Sequence, residues 1–298
     1  MRFFFPDTPQ LPLPAGHRFP AVKYGMLREA VQREGIIAPQ ALHASPSASR
    51  TDIERAHDGA YVGAVLDGTL SAENQRRIGL PWSPVLAQRS LATVGGALAA
   101  ARAALSEGLS GQLAGGTHHA HRDFGSGYCV FNDLAVTALT LAASGEARRI
   151  AILDLDVHQG DGNAAILAGH PDLLVVSVHG EKNFPFSKVP SSLDVGLPDH
   201  TGDRAYLHAL ADVLPVVEAF RPDLLLYLSG ADALATDRLG RLALTRDGLM
   251  ERDRLVFHMA HRRGIPVSIA IGGGYAEPIG DSVAGYANTF RAAREIIG

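Results

Sequence analysis

Four short runs of Ile, Val and Leu punctuate the second half of the chain: Ile150 to Leu155, Leu173 to Val178, Leu224 to Ser229 and Val267 to Ile271. Each is continuously apolar rather than alternating, the pattern of a strand covered on both faces. Between them lie segments of helical spacing, Ala164 to Ala168, Ala205 to Phe220 and Gly248 to His261. Others fall at Gln88 to Leu105, Leu134 to Ala143 and Ser282 to Ile297. Thr245 is placed to cap the helix that runs toward Arg263, and Gly264 and Pro266 stop it before the next strand. Gln112-Leu113-Ala114 reads as one more short strand. This alternation predicts an α/β fold: a single parallel sheet with helices on both faces and a crevice at the strand carboxyl ends.

Polar clusters stand at those predicted ends. They are Gly115-Gly116-Thr117-His118-His119, the segment Asp154 to Gly162, Ser229-Gly230-Ala231-Asp232 and Gly272-Gly273-Gly274-Tyr275. A strand alternates its faces, so Asp154, Asp156 and His158 share a side if the extended geometry persists. Burying so many carboxylates demands a cation or strong hydrogen-bond donors. Read alone, a D-x-H after a strand is more often a capping loop. The evidence is the coincidence: the topology gathers His118, His119, Asp156, His158, Asp232 and Tyr275 along one edge.

Composition narrows the class. A chain of 298 residues with 46% hydrophobic and 19% charged residues is an ordinary globular protein. Length alone suggests about two domains, but no repeat, charge run or low-complexity linker divides the chain, so residues 1–298 read as one domain. The Ser45 to Ser49 patch reads as a surface loop. Lys and Arg total 27 against 31 acids, and the net charge of -4 carries no nucleic-acid signature. Cys129 stands alone, so no intramolecular disulfide forms, and the cytoplasm is the expected compartment. The amino-terminal apolar stretch before Pro6 is too short for a signal peptide. No run reaches the roughly 18 apolar residues of a membrane span. Oligomeric state is not legible.

The clusters resemble, in order and spacing, those of the zinc-dependent histone deacetylase family and its bacterial relatives, which share the arginase-deacetylase fold. The resemblance is carried by GGTHHA at Gly115 to Ala120, GSGYCVFND at Gly125 to Asp133, DLDVHQGDG at Asp154 to Gly162, SGAD at Ser229 to Asp232, DRLGRLALT at Asp237 to Thr245 and GGGY at Gly272 to Tyr275. The early LPLPAGHRFPAVKY segment is similar to short, class IV-like members.

The resemblance implies that Asp156, His158 and Asp232 bind one catalytic Zn2+, leaving room for water and a substrate carbonyl. It implies that His118 and His119 face the bound water, with Asp154 orienting His118 and Asp161 orienting His119, and that Tyr275 donates to the oxyanion. Gly127, Tyr128, Phe184 and Phe186 are implied as walls of a passage for an acyl-lysine stem. Asp154, Ser177 and main-chain carbonyls near Asp156, His158 and Val178 resemble the family's monovalent-cation site, so K+ is a secondary expectation. Cys129 reads as a small buried residue rather than a nucleophile.

The implied activity is metal-dependent removal of acetyl or longer acyl groups from lysine side-chain amines. Rivals are a deacylase of small acylated amines such as acetylpolyamines, which a narrowed or acidic entrance would favour, an arginase-like ureohydrolase with two manganese ions, and a non-catalytic acyl-lysine binding module. The ureohydrolase needs a closely spaced pair of acids where this chain has Ala231-Asp232. Gln159 departs from the second His of many family members, and Gly180 to Pro190 replaces a familiar loop. These bear on substrate preference. The loop that holds substrate backbone in eukaryotic deacetylases falls near Glu73 to Ser83, where no residue can be aligned for that role.

Overall fold

The computed structural model describes Met1–Gly298. Its strands are β1 (Phe3–Phe5), β2 (Leu42–Ala44), β3 (Leu109–Gln112), β4 (Ile150–Asp154), β5 (Leu173–Gly180), β6 (Leu193–Leu197), β7 (Leu224–Ser229) and β8 (Val267–Ile271). They form one eight-stranded sheet in the order β2-β1-β3-β8-β7-β4-β5-β6. Every neighbouring pair is parallel. The helices are α1 (Lys23–Arg33), α2 (Arg50–Ile53), α3 (Gly59–Asp67), α4 (Ala72–Ile78), α5 (Pro84–Glu107), α6 (Asp133–Ser144), α7 (Asp161–Leu167), α8 (Asp203–Phe220), α9 (Arg246–Arg263) and α10 (Gly280–Ile296).

The period-2 alternation of each strand divides its side chains between two cores. In β4, Ala151 and Leu153 enter the core shared with α1, α8, α9 and α10, whereas Ile150 and Ile152 enter the one shared with α3, α5, α6 and α7. In β7 the same division sets Leu225 and Tyr227 against Leu224, Leu226 and Leu228. Covered on both faces, these strands read as unbroken apolar runs. Each fully buried Leu, Ile or Val contributes about 1.5–3 kcal/mol.

Capping follows local chemistry. The Thr245 hydroxyl accepts from Gly248 N–H at 3.0 Å, and Gly264 ends α9 at φ +63°.

The strand expected at Gln112 to Ala114 lies earlier, at Leu109–Gln112. Its Ser110 and Gly111 hide it from a hydrophobic reading. Gly111 is needed because a Cβ there would lie 2.8 Å from Ile269 Cβ on β8. Strands β1, β2 and β6 and helices α1 to α4 were not anticipated from the apolar pattern. β6 is an edge strand with alternating exposure, and β1 and β2 have three residues each.

Candidate active site

In chain order the strands that precede the four polar clusters are β3, β4, β7 and β8. In the sheet they are consecutive neighbours, β3-β8-β7-β4. Segments more than a hundred residues apart therefore meet at one carboxyl edge, the place where open α/β sheets bind ligands.

Asp156, His158 and Asp232 present one ligand atom each, all within 4.8 Å of one another. His158 Nδ1 lies 2.9 Å from Asp156 Oδ1 and 3.2 Å from Asp232 Oδ2. The carboxylates are held from behind: Val157 N–H donates to Asp232 Oδ1 at 2.9 Å, and Gly273 N–H donates to Asp156 Oδ2. Asp156 and Asp232 are buried and pair with no Lys or Arg. Burial opposes a charged His158, but its two carboxylate partners outweigh it and push the imidazole up to about 10. Burial and the neighbouring Asp156 push Asp232 up to about 7. Two acids and an imidazole with surplus negative charge are the donor chemistry of a divalent-cation site, and the residues fit one ion.

The paired histidines stand beside this cluster with ring centroids 4.1 Å apart. His118 Nδ1 lies 2.7 Å from Asp154 Oδ2, and His119 Nδ1 lies 2.6 Å from Asp161 Oδ1. Each carboxylate accepts a hydrogen bond from Nδ1–H and so fixes the ring. The two histidines differ. Burial, together with the charge of His118, pushes His119 down to about 4. Burial also opposes charge on His118, but Asp154 and Asp156 prevail and raise it to about 9. His121, which the motif reading passed over, also binds Asp161, at 3.1 Å. Asp133, within the GSGYCVFND stretch, accepts from Gly116 N–H, Thr117 N–H and the Thr117 hydroxyl at 2.7–3.0 Å, and so shapes the turn that delivers both histidines.

A cleft of about 670 Å³ opens onto these groups, with Tyr275 in its wall. Tyr275 is buried, and its N–H donates to Asp237 Oδ2 at 2.6 Å. Comparisons with known sequences and structures identify the family and the fold. Residues 17–289 match the Histone deacetylase domain. The chain belongs to the histone deacetylase family. It is 32% identical to the histone deacetylase-like amidohydrolase of Pseudomonas aeruginosa, covering 90% of this chain and 75% of that one. It is 28% identical to histone deacetylase 2 of Arabidopsis thaliana, covering 90% and 73%. An uncharacterized protein of Picosynechococcus sp. is 44% identical over 96% of this chain and 95% of its own. The crystal structure of the HDA15 HD domain shares the fold at a TM-score of 0.81 and 19% identity, covering 99% of this chain and 91% of that one.

The four residues expected to wall the passage of this deacetylase-family chain all line the cleft. A Cβ on Gly127 would meet the His119 ring at 2.7 Å, so only glycine allows the wall to approach that imidazole. Tyr128 adopts φ +68°, a strained conformation for a non-glycine residue, and brings its ring centroid to 6.0 Å from Tyr275. Phe184 stands edge-on to His119 at 4.8 Å. Phe186 is 88% exposed and lies at the mouth rather than in the passage.

Of the residues tied to a monovalent cation, Ser177 is the register partner of Asp154 on the adjoining strand, and its hydroxyl lies 3.0 Å from His179 Nδ1. Val178 follows, fully buried. Three buried charged residues were not foreseen. The Lys23 ammonium, within the early segment, donates to the carbonyls of Gly274 at 3.3 Å and Gly272 at 3.5 Å and to the Tyr286 hydroxyl at 3.1 Å. It sits 5.1 Å from the Tyr275 ring centroid. Arg252 and Asp253 form an ion pair beneath the Asp232 loop. Arg252 follows buried Leu249 by three residues and precedes buried Val256 by four, a spacing that puts it on the inner face of α9. No helix is long and apolar enough to cross a membrane.

Proposed function

We propose that this chain is a zinc-dependent amidohydrolase that removes acetyl or longer acyl groups from lysine side-chain amines. The observation that carries the reading is the convergence of an Asp156–His158–Asp232 ligand cluster, two carboxylate-backed histidines and Tyr275 on one cleft. An ion held by the cluster supplies Lewis-acid polarisation of the acyl carbonyl and acidifies water at the same point.

The protein's own residues account for the rest. His119 gives its Nδ1–H to Asp161, which leaves Nε2 free to accept a proton from attacking water. His118, backed by Asp154, holds a proton for the departing amine. Tyr275 donates a hydrogen bond from its phenol to the oxyanion that develops at the acyl carbonyl oxygen. Tyr128 and Phe184 guide the aliphatic stem to these groups. Asp154 and Ser177, with the main chain at Asp156, His158 and Val178, would hold K+ at a second site. One buried, free cysteine means the fold uses no disulfide, which fits a cytoplasmic enzyme.

The ureohydrolase reading lacks support, because after β7 only Asp232 turns into the cluster. The next acid, Asp237, accepts from the backbone N–H groups of Leu239, Gly240 and Tyr275 instead.

The test is turnover of a panel of acetyl- and longer-acyl-lysine peptides by protein stripped of metal and reloaded with one zinc per chain. Hydrolysis that tracks zinc content supports the proposal, whereas zinc-loaded protein that cleaves no acyl-amine rejects it.

A further inference from the structure

The mouth of the cleft carries five cationic side chains, Arg76, Arg77, Lys182, Arg238 and Arg241. All are exposed at their tips. They come from separate parts of the chain: Arg76 and Arg77 from α4, Lys182 from the segment after β5, Arg238 and Arg241 from the segment after β7. Asp156, committed to the ligand cluster at the floor, is the one acid that lines the cleft. The molecule as a whole carries a net charge of -4, whereas the lining of this cleft is predominantly basic.

Acids stand beside this cationic ring, Lys182 lying 4.0 Å from both Glu181 and Asp199. Arg77 pairs with Glu73 at 2.7 Å, Arg241 with Asp199 at 2.8 Å and Arg238 with Glu277 at 3.6 Å, and none of those acids lines the cleft. Arg76 makes no ion pair. Exposed pairs of this kind are weak, so these side chains remain free to turn toward a ligand carboxylate.

We infer that this cationic mouth selects acyl-lysine side chains carried in an acidic sequence context and rejects acylated polyamines. The inference rests on the deacylase reading of the site and decides between its two substrate classes. A polyamine acylated at one nitrogen remains cationic at the others, so it would bring like charge against the arginines of a cleft wall whose one acid, Asp156, belongs to the ligand cluster. A peptide with Asp or Glu on both sides of its acyl-lysine places those carboxylates at the rim once the stem has entered the passage. Complementary charge of this sort acts on encounter and on choice of partner.

The test compares zinc-loaded protein on acetyl-lysine peptides of equal length with acidic, neutral or basic flanks, and on acetylspermidine. The acidic peptide should exceed the basic one in kcat/KM by about tenfold at low salt, a few weak exposed charge pairs in sum. The ratio should collapse toward one in roughly 1 M salt, where the Debye length is about 3 Å. Arg76→Glu combined with Arg241→Glu should invert the ratio, which is read within one preparation and so does not depend on its folded fraction. A basic peptide or acetylspermidine preferred by the unaltered protein overturns the inference. Fluorescence anisotropy of the same peptides on the Tyr275→Phe variant reads the rim without turnover, and equal affinity across flanks also overturns it. Charge-ordered binding with no hydrolysis by the unaltered enzyme would leave the rim standing and remove the deacylase reading.

Discussion

Arg252 Nη1 donates a 2.6 Å hydrogen bond to the carbonyl oxygen of Gly230, and the same nitrogen reaches the Leu155 carbonyl at 3.4 Å. Leu155 directly precedes Asp156, and Gly230 stands two residues before Asp232. One buried guanidinium thus ties together the two loops that deliver the acids of the ligand cluster. Asp253 balances its charge and accepts from the hydroxyls of Thr289, at 2.6 Å, and Tyr227.

Arg252→Met should therefore cost about 3–5 kcal/mol, because it leaves the Asp253 carboxylate buried without its cation. Arg252→Met combined with Asp253→Leu should recover much of that loss, since apolar replacement of a whole buried pair is often close to neutral. Zinc affinity should stay weakened in both variants, as the Gly230 carbonyl has lost its donor. Thermal unfolding and competition with a chelator measure the two effects. A double variant less stable than the single one would reject the ion-pair account.

Tyr275→Phe should lower kcat by about a hundredfold or more, the usual scale for losing an oxyanion donor. The backbone at this position is set by Asp237 and the preceding glycines, so the fold and the zinc content should hold. Steady-state turnover of an acetyl-lysine peptide decides the matter, and an unchanged kcat would take the phenol out of the mechanism.

The strands that build the site were legible because both of their faces are covered, which makes β4, β5, β7 and β8 continuous apolar runs. Their polar ends could then be read as one edge. Where burial and hydrophobicity part company the reading fails: β3 is buried through Ser110 and Gly111, and β6 is an edge strand that shows one face to water. Lys23 was illegible for a different reason. A lysine reads as surface unless its partners are known, and here they are main-chain carbonyls and a hydroxyl about 250 residues away. The Arg252–Asp253 pair did leave a trace in its spacing from Leu249 and Val256, but the run Glu251 to Arg254 masks it as an exposed polar face.

Lys23→Met should cost about 1–3 kcal/mol, the penalty for leaving buried acceptors without a donor. Its ammonium holds the carbonyls on either side of Gly273 in the turn that presents Tyr275, so kcat should fall more than KM rises. Lys23→Arg keeps the charge and the donors and should restore part of kcat. Unfolding midpoints with a kcat and KM split across the two variants check this, and equal loss in both would reduce Lys23 to a packing role.

Stability should fall as the medium is acidified, and His57 supplies one identifiable part of the slope. Its Nδ1 donates to the His121 carbonyl at 2.8 Å, and its Nε2 accepts from Asn132 N–H at 2.9 Å, so the ring is held neutral. Burial pushes it down to about 4 from the 6.5 of an unfolded chain. Between those two values the unfolded chain binds a proton that the folded protein excludes, and the lowered folded value makes stability drop as pH falls through that window. Above pH 6.5 the contribution is complete, and near pH 4 up to about 3 kcal/mol of it is gone. His179, also lowered to about 4 by burial, adds a slope of the same sign. His57→Gln removes one titrating ring and should flatten the dependence of the unfolding free energy on pH across the window, even if it lowers the plateau. Denaturant melts at a series of pH values measure the slope directly, and a slope as steep in the variant as in the unaltered protein would mean that His57 is already charged in the folded state.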